Sequence, residues 1–451
     1  MCGALISLVF ALQFAADVGG THAPVGVHLG AGVGAGVVGG DVVAVVDVGV
    51  GIETSPFALH LRAPPTFRLV DLPEPVPSSQ PSICRVIRCE EALRGQRLDP
   101  TALARVIDEV RLFRPGDVVH ARAGRLTATF GAGAAVDRVT TMASWDRRTS
   151  GAYGNVRLPV QSLRADVVVA DVISPLELMA GRLEGALHWL PVVAGVEVAV
   201  DAFAPDDVVD GSGAVDPAGR TRTLGVGVAD VRLPVTIASA SLAPRLEVSV
   251  ATGLSADGVV VDGFGFGAAL GVAADLKVSF VDVKGEATVG ASTSAHRRGL
   301  FSTFHLVERR RALVGSAVVG GGLVHVPAPG GVSADLRLEA SVLDAVAPLF
   351  RLHLEPSPGA NSVEVGAVVD IEPIQVSFSA MRRGFVDLGG VVDRDVDARP
   401  LLVVAEAAWR IVGPLSVWAR WYRLPRFAPD GLRADDDVLV GIAVAGALQP
   451  R

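Results

Sequence analysis

The sequence predicts an all-β chain: an antiparallel transmembrane β-barrel of about 16 strands with one inserted amphipathic helix. Three observations carry that expectation. Apolar and polar residues alternate with a period of two along most of the chain, as they do in strands with one greasy and one polar face. Of the 451 residues, 50% are hydrophobic and only 20% charged, too apolar a balance for a sheet whose outer face meets water. The mean hydropathy is positive, yet Val18–Gly40 and Ala312–Ala334, the two long stretches without formal charge, are broken by glycines, histidines and prolines. They read as hairpins of short strands rather than bilayer helices.

Composition also excludes two classes. A chain this apolar offsets its ordering entropy and is not disordered. With 40 Lys and Arg against 48 Asp and Glu, a net charge of −8, it lacks the phosphate-neutralising face of a nucleic-acid binder.

Taken in chain order, Met1–Ala16 (MCGALISLVFALQFAA) has the length of an export signal, although no Lys or Arg precedes its apolar core. A first buried strand is the alternative. Residues 17–451 are expected to form a single barrel domain. Phe57, Leu59 and Leu61 alternate with His60 and Arg62. Residues 71–116 break the pattern and form the expected insertion. Asp71–Ser82 (DLPEPVPSSQPS) carries four prolines, incompatible with a central strand. Asp99-Pro100 then resembles a helix start, and Leu103, Val106, Ile107 and Val110 recur at helical spacing before Pro115-Gly116. Such a helix must bury its apolar face in a barrel mouth, at a barrel end or on a membrane surface. Cys84 and Cys89 fall in this segment. They pair only if the chain turns, since five residues of strand span about 16 Å, and unpaired thiols are expected.

Alternation resumes through Val196, Val198 and Val200 against Glu197 and Asp201, and Leu246, Val248 and Val250 against Arg245 and Glu247. Leu336, Leu338 and Ala340 oppose Asp335, Arg337 and Glu339; Phe350, Leu352 and Leu354 oppose Arg351, His353 and Glu355; Val363 and Val365 oppose Glu364. In Leu276–Val289 the apolar phase jumps from Phe280 to Val281, as a bulge, bend or turn would make it do. Setting the signal and insertion aside leaves about 390 residues, or about 16 units of roughly 22–25 residues, an even number as single-chain bacterial barrels require. Closure follows from membrane residence, because open sheet edges are excluded from hydrocarbon.

Residues His120–Thr141 (HARAGRLTATFGAGAAVDRVTT), with the preceding DPTALARVIDEVRLFRPGD, resemble a group of uncharacterised, porin-like outer-membrane β-barrel proteins of GC-rich Gram-negative bacteria. Asp171–Leu187 and Gly299–Arg311 are similar to the same group. Where that group has Gly-Asp/Glu-Leu and Gly-His-Gly, this chain has Gly124-Arg125-Leu126 and Gly131-Ala132-Gly133. The resemblance implies fold and location and brings no catalytic residues.

Little else carries chemistry. Gly34–Gly39 (GAGVVG) matches a dinucleotide-loop spacing, but a strand-like run follows it and no phosphate-binding helix opens there. No nucleophile elbow, paired CxxC or His-Glu-x-x-His is present. No enzyme, cofactor or metal site is expected. Asp206-Asp207, Asp435–Asp437 and Arg309–Arg311 read as solvated charge. A charge facing lipid costs about 2–4 kcal/mol at the midplane, so Arg62, Glu197, Asp201, Arg245, Glu247, Asp335, Arg337, Glu339, Arg351, Glu355 and Glu364 are the expected lumen-lining residues. Aromatic residues are few, 16 Phe, 5 Trp and 2 Tyr; Trp409, Trp418, Trp421 and Tyr422 are the candidates for interface anchors. The expected protein is a porin-like channel of the bacterial outer membrane, in contact with the lipid bilayer and passing small hydrophilic solutes. The alternative is a non-conducting barrel with a structural, adhesive or lipid-handling role.

Overall fold

The computed structural model describes most of residues 26–448. Residues 1–25, 71–92, 99–106, 141–149, 206–220, 255–263, 303–310, 321–327, 357–360, 386–400 and 449–451, with a dozen further stretches of one to three residues, lie outside the described residues. The expected signal, most of the 71–116 segment and both Cys84 and Cys89 fall there.

Period-two alternation does what it dictates. β1 (Gly26–Val38), β2 (Asp41–Glu53) and β3 (Phe57–Ala63, resuming as Thr66–Val70) open the sheet. β4 (Ile107–Leu112), β5 (Val119–Gly124), β6 (Gly151–Leu158), β7 (Leu163–Val169), β8 (Met179–Leu187) and β9 (Val192–Pro205) follow. Next come β10 (Thr221–Arg232, resuming as Val235–Ile237), β11 (Ala240–Thr252), β12 (Phe264–Val278) and β13 (Val281–Ser292). β14 (Gly331–Val342), β15 (Val346–Leu354), β16 (Ser362–Ile371) and β17 (Ile374–Arg383) lead to β18 (Leu401–Val412), β19 (Leu415–Ala428) and β20 (Gly431–Leu448). Each strand pairs antiparallel with the next, and β20 returns to β1 over Val27↔Leu448 to Val37↔Val438. The ring is closed. The interruption in β10 falls at Leu233-Pro234, where proline has no N–H for the ladder.

Two expectations are corrected. The barrel has 20 strands, not about 16. Tight hairpins are the reason: the phase slip read within Leu276–Val289 is a turn at Ser279-Phe280, pairing β12 with β13 through Val278↔Val281. Further, no α-helix is present among the described residues. Ile107–Leu112 is a strand, paired with both β3 and β5. The apparent helical spacing of Ile107 and Val110 arises from a register shift opposite His60 and Leu61. Two residues facing one restart the alternation one position later, so residues three apart share a face.

The two faces of the ring differ sharply. Outside stand Leu270 at 68% exposure and Val289 at 58%, together with Phe266, Val440 and Ile442. On the opposite face Asp201 and Glu197 are 0% and 1% exposed, and Asp47, Asp166, Asp230, Glu247 and Glu364 are likewise buried. The ends differ too. Connections leaving the even-numbered strands from β2 to β18 run two to six residues. Those leaving odd-numbered strands include the long segments 71–106, 125–150 and 293–330. Short turns at one rim and long loops at the other are the pattern of outer-membrane barrels.

Inside, described parts of two of the long connections, residues 126–139 and 295–302, fold into the barrel. Leu126, Phe130, Ala135, Val136 and Val139 from the first, and Leu300 and Phe301 from the second, pack with Val168, Ala199, Leu224, Val226 and Ala251 of the wall. The two loops join each other through a parallel pairing, Val136↔Phe301 and Asp137↔Ser302. This is the main apolar core of the molecule, and it lies within the ring.

Candidate functional site in the barrel interior

Ten of the eleven residues expected in the lumen lie on strands, on the face opposite the exposed apolar side chains, and Glu355 directly follows β15. Around β8–β10, Arg182 is the organising charge. Its guanidinium bonds Asp230 through both terminal nitrogens, at 2.6 and 3.1 Å, and reaches Glu184 at 3.1 Å and Glu197 at 3.7 Å. Asp230 sits on β10, two strands from Arg182, with Gly195 of β9 between them, paired to Asp230. A Cβ at Gly195 would lie 2.8 Å from the Arg182 Cζ, so glycine here is what lets the side chain cross a strand. The same device recurs for Arg245. It crosses Gly271 of β12 to donate to Thr288 at 3.0 Å and Glu286 at 2.6 Å on β13.

The in-folded loops are tied to these wall charges. The Val136 N–H donates to Glu197 at 3.1 Å. Gly131, at φ +50°, passes so close that a Cβ would lie 2.8 Å from Arg182 Nη1. From the second loop, Arg298 grips Glu247 with two nitrogens, the longer contact being 3.2 Å, and Asp335 at 2.8 Å. Its backbone N–H donates to Glu355 at 3.0 Å, and Arg297 reaches the same carboxylate at 3.4 Å. His353 bridges Asp335 and Glu355. His296 shares a 2.7 Å hydrogen bond with Ser249. Burial holds its imidazole below the usual range and so keeps it neutral. A cavity of about 20 Å³, lined by Glu247, Ser249, His296, Arg298 and Glu355, remains at this junction, room for about one water.

Elsewhere Arg62 donates to Asp47 at 2.8 Å, Arg337 pairs with Glu339, and Ser379 donates to Glu364 at 2.9 Å. Arg351 lies between Arg337 and Glu364 in register. Charges of both signs alternate round the interior, so it presents no single-sign field.

One aromatic expectation is corrected. Trp409 and Trp421 face outward, and the Trp421 indole donates to Asp436 at 2.9 Å. Trp418 and Tyr422 instead point inward, buried with Val38, Val43, Val45 and Leu439. Strand parity requires this, because Trp418 and Trp421 are an odd number of residues apart. The Trp418 ring lies across Gly441 and Gly34, which are paired in register; a Cβ at Gly34 would stand 2.7 Å from Trp418 Cη2. The first glycine of GAGVVG, Gly34, thus makes room for an indole.

Arg182, Asp230, Asp166, His296 and Arg298 were missed from the sequence. Arg182 and Asp230 carry the alternation signal within GRLEGAL and VADVR, but AHRRG resembles an ordinary solvated turn. Only the tertiary fold carries it inside.

No family model matches the chain, and no curated protein does. Among solved structures it is similar to the FrpB iron transporter from Neisseria meningitidis, with 9% identity, 95% of this chain and 82% of that one covered, and a TM-score of 0.37. It is similar to a BenF-like porin from Pseudomonas fluorescens Pf-5, at 8% identity, 94% and 99% coverage and a TM-score of 0.34. It also resembles CdiB from Acinetobacter baumannii, at 8% identity and a TM-score of 0.29, spanning 60% of that chain's length. Likenesses this distant say nothing about what the chain does.

Proposed function

We propose that this chain resides in the bacterial outer membrane and acts as a channel for small hydrophilic solutes, its lumen narrowed by the two in-folded loops. The observation that carries the proposal is the closed ring itself, with large apolar side chains exposed outside and carboxylates and guanidiniums buried inside. Exposed apolar area costs roughly 25 cal/mol per Å² in water, and a contiguous belt of it needs a cover. Hydrocarbon supplies that cover, and closure leaves no unpaired strand edge in it. Rings of 16–18 strands leave an aqueous channel and rings of about 22 strands hold a plug; a 20-strand ring with in-folded loops falls between them.

A second reading, a non-conducting barrel, draws on the apolar core formed by those same loops. Purified, folded protein in planar bilayers separates the two. Discrete conductance steps support the channel. A protein that stays silent at every voltage, and remains silent once the 293–302 loop is released from the wall, overturns it. A loop deletion aimed at the upstream insertion must stop at residue 106, because residues 107–112 are a stave of the ring.

A further inference from the structure

We infer that the inner face at the short-turn rim carries a divalent transition-metal site built from His28, His60 and Glu53, with Glu109 behind it. The four residues lie on β1, β3, β2 and β4, and their wide separation in the sequence hid the cluster. Sequential antiparallel pairing of β1 with β2, β2 with β3 and β3 with β4 sets them side by side. His28 and His60 both pair with Gly51 of β2, one from each side. A Cβ at Gly51 would lie 2.7 Å from the His60 ring and 3.3 Å from the Cβ of His28; glycine therefore leaves the two imidazoles free to face each other at 5.6 Å.

One ligand atom from each of His28, Glu53 and His60 lies within 4.8 Å of the other two. His28 Nε2 and a Glu53 oxygen are already 3.6 Å apart. Two ligands of a tetrahedral zinc ion, at bond lengths of 2.0–2.2 Å, stand about 3.3 Å apart, so small side-chain rotations complete the set.

The surrounding contacts orient these groups. His60 Nδ1 faces Glu109 at 3.8 Å, a small side-chain rotation short of the carboxylate–histidine hydrogen bond that fixes a metal ligand's tautomer. It leaves Nε2 for the ion, and His60 Nε2 has no hydrogen-bond partner among the described residues. Arg111 holds Glu53 through Oε1, which leaves Oε2 turned toward His28. That guanidinium also subtracts charge from the site, so the ligand set favours a borderline ion that binds imidazole, such as Zn²⁺, over Ca²⁺ or Mg²⁺. Three protein ligands leave a fourth position open to the lumen.

Tag-free barrel, folded in detergent, is titrated with ZnCl₂ by calorimetry, and with Co²⁺ while visible absorption is followed. The expected result is one equivalent of Zn²⁺ and tetrahedral Co²⁺ bands. Both are lost in His28→Ala and His60→Ala, and Glu109→Gln weakens binding about tenfold. Absence of the equivalent and of the Co²⁺ bands in wild-type protein overturns the inference without needing any variant to fold. So does an equivalent that persists in the folded double variant. Binding is read on the isolated barrel, so it stands or falls independently of conductance.

Discussion

Replacing Arg298 with Met is the perturbation that tests how the inner loop is held. Arg298 is 6% exposed and contacts two carboxylates, Glu247 at 3% and Asp335 at 28% side-chain exposure. Removing one partner of a buried ion pair costs about 3–5 kcal/mol, chiefly because the other charge stays buried and uncompensated. Asp335 keeps some contact with water and with His353, and Glu247 keeps only the longer 3.7 Å contact with Arg245, so Glu247 carries most of the penalty and the lower half of that range applies. At 1.4 kcal/mol per factor of ten, the equilibrium between docked and released loop shifts by about a hundredfold to a thousandfold. Phe301 and Val136 still hold the far side of the loop, so the release is local. Single-channel recording in planar bilayers reads the shift as a larger open fraction and more frequent high-conductance events. Adding Glu247→Gln removes the stranded charge and should restore most of the wild-type occupancy. An Arg298→Met protein that folds fully and records indistinguishably from wild type would refute the idea that this latch governs the lumen.

Three other outcomes follow from the same geometry. Leu270→Arg places a charge in the middle of β12 on the outer face and should cost about 2–4 kcal/mol of folding free energy in a bilayer, measured by denaturant titration in vesicles; an unchanged midpoint argues against lipid contact. Trp418→Ala should destabilise the barrel by about 3–5 kcal/mol through the inner cavity it leaves, whereas Trp421→Ala should cost clearly less, and equal losses would contradict their opposite orientation. Gly131→Ala should loosen the first in-folded loop by about 1–3 kcal/mol, because a left-handed backbone acquires a side chain against the Arg182 guanidinium. Faster proteolysis within residues 125–140 would report it.

The alternation was legible because strand geometry is local: a period of two assigns each side chain to a face without knowledge of the partner strand. Eleven residues, from Arg62 to Glu364, were expected on the inner side on that ground. The same rule would have separated Trp418 from Trp421, and the error there lay in treating proximity in sequence as a shared face. Helical spacing failed at Ile107 and Val110 because a bulge and a helical turn both place residues three apart on one side. The strand count failed because tight turns such as Ser279-Phe280 leave almost no mark between two apolar runs.

Composition and periodicity alone settled that this chain makes amphipathic strands and which side chains share a face, since both depend only on backbone geometry and nearest neighbours. The number of strands, the in-folded loops and the grip of Arg298 were decided by the tertiary fold, and the meeting of His28 with His60 by the pairing of both their strands with β2. Bringing β20 against β1 and folding two long loops inward joins residues up to hundreds of positions apart, and no local pattern encodes which distant charge each will meet.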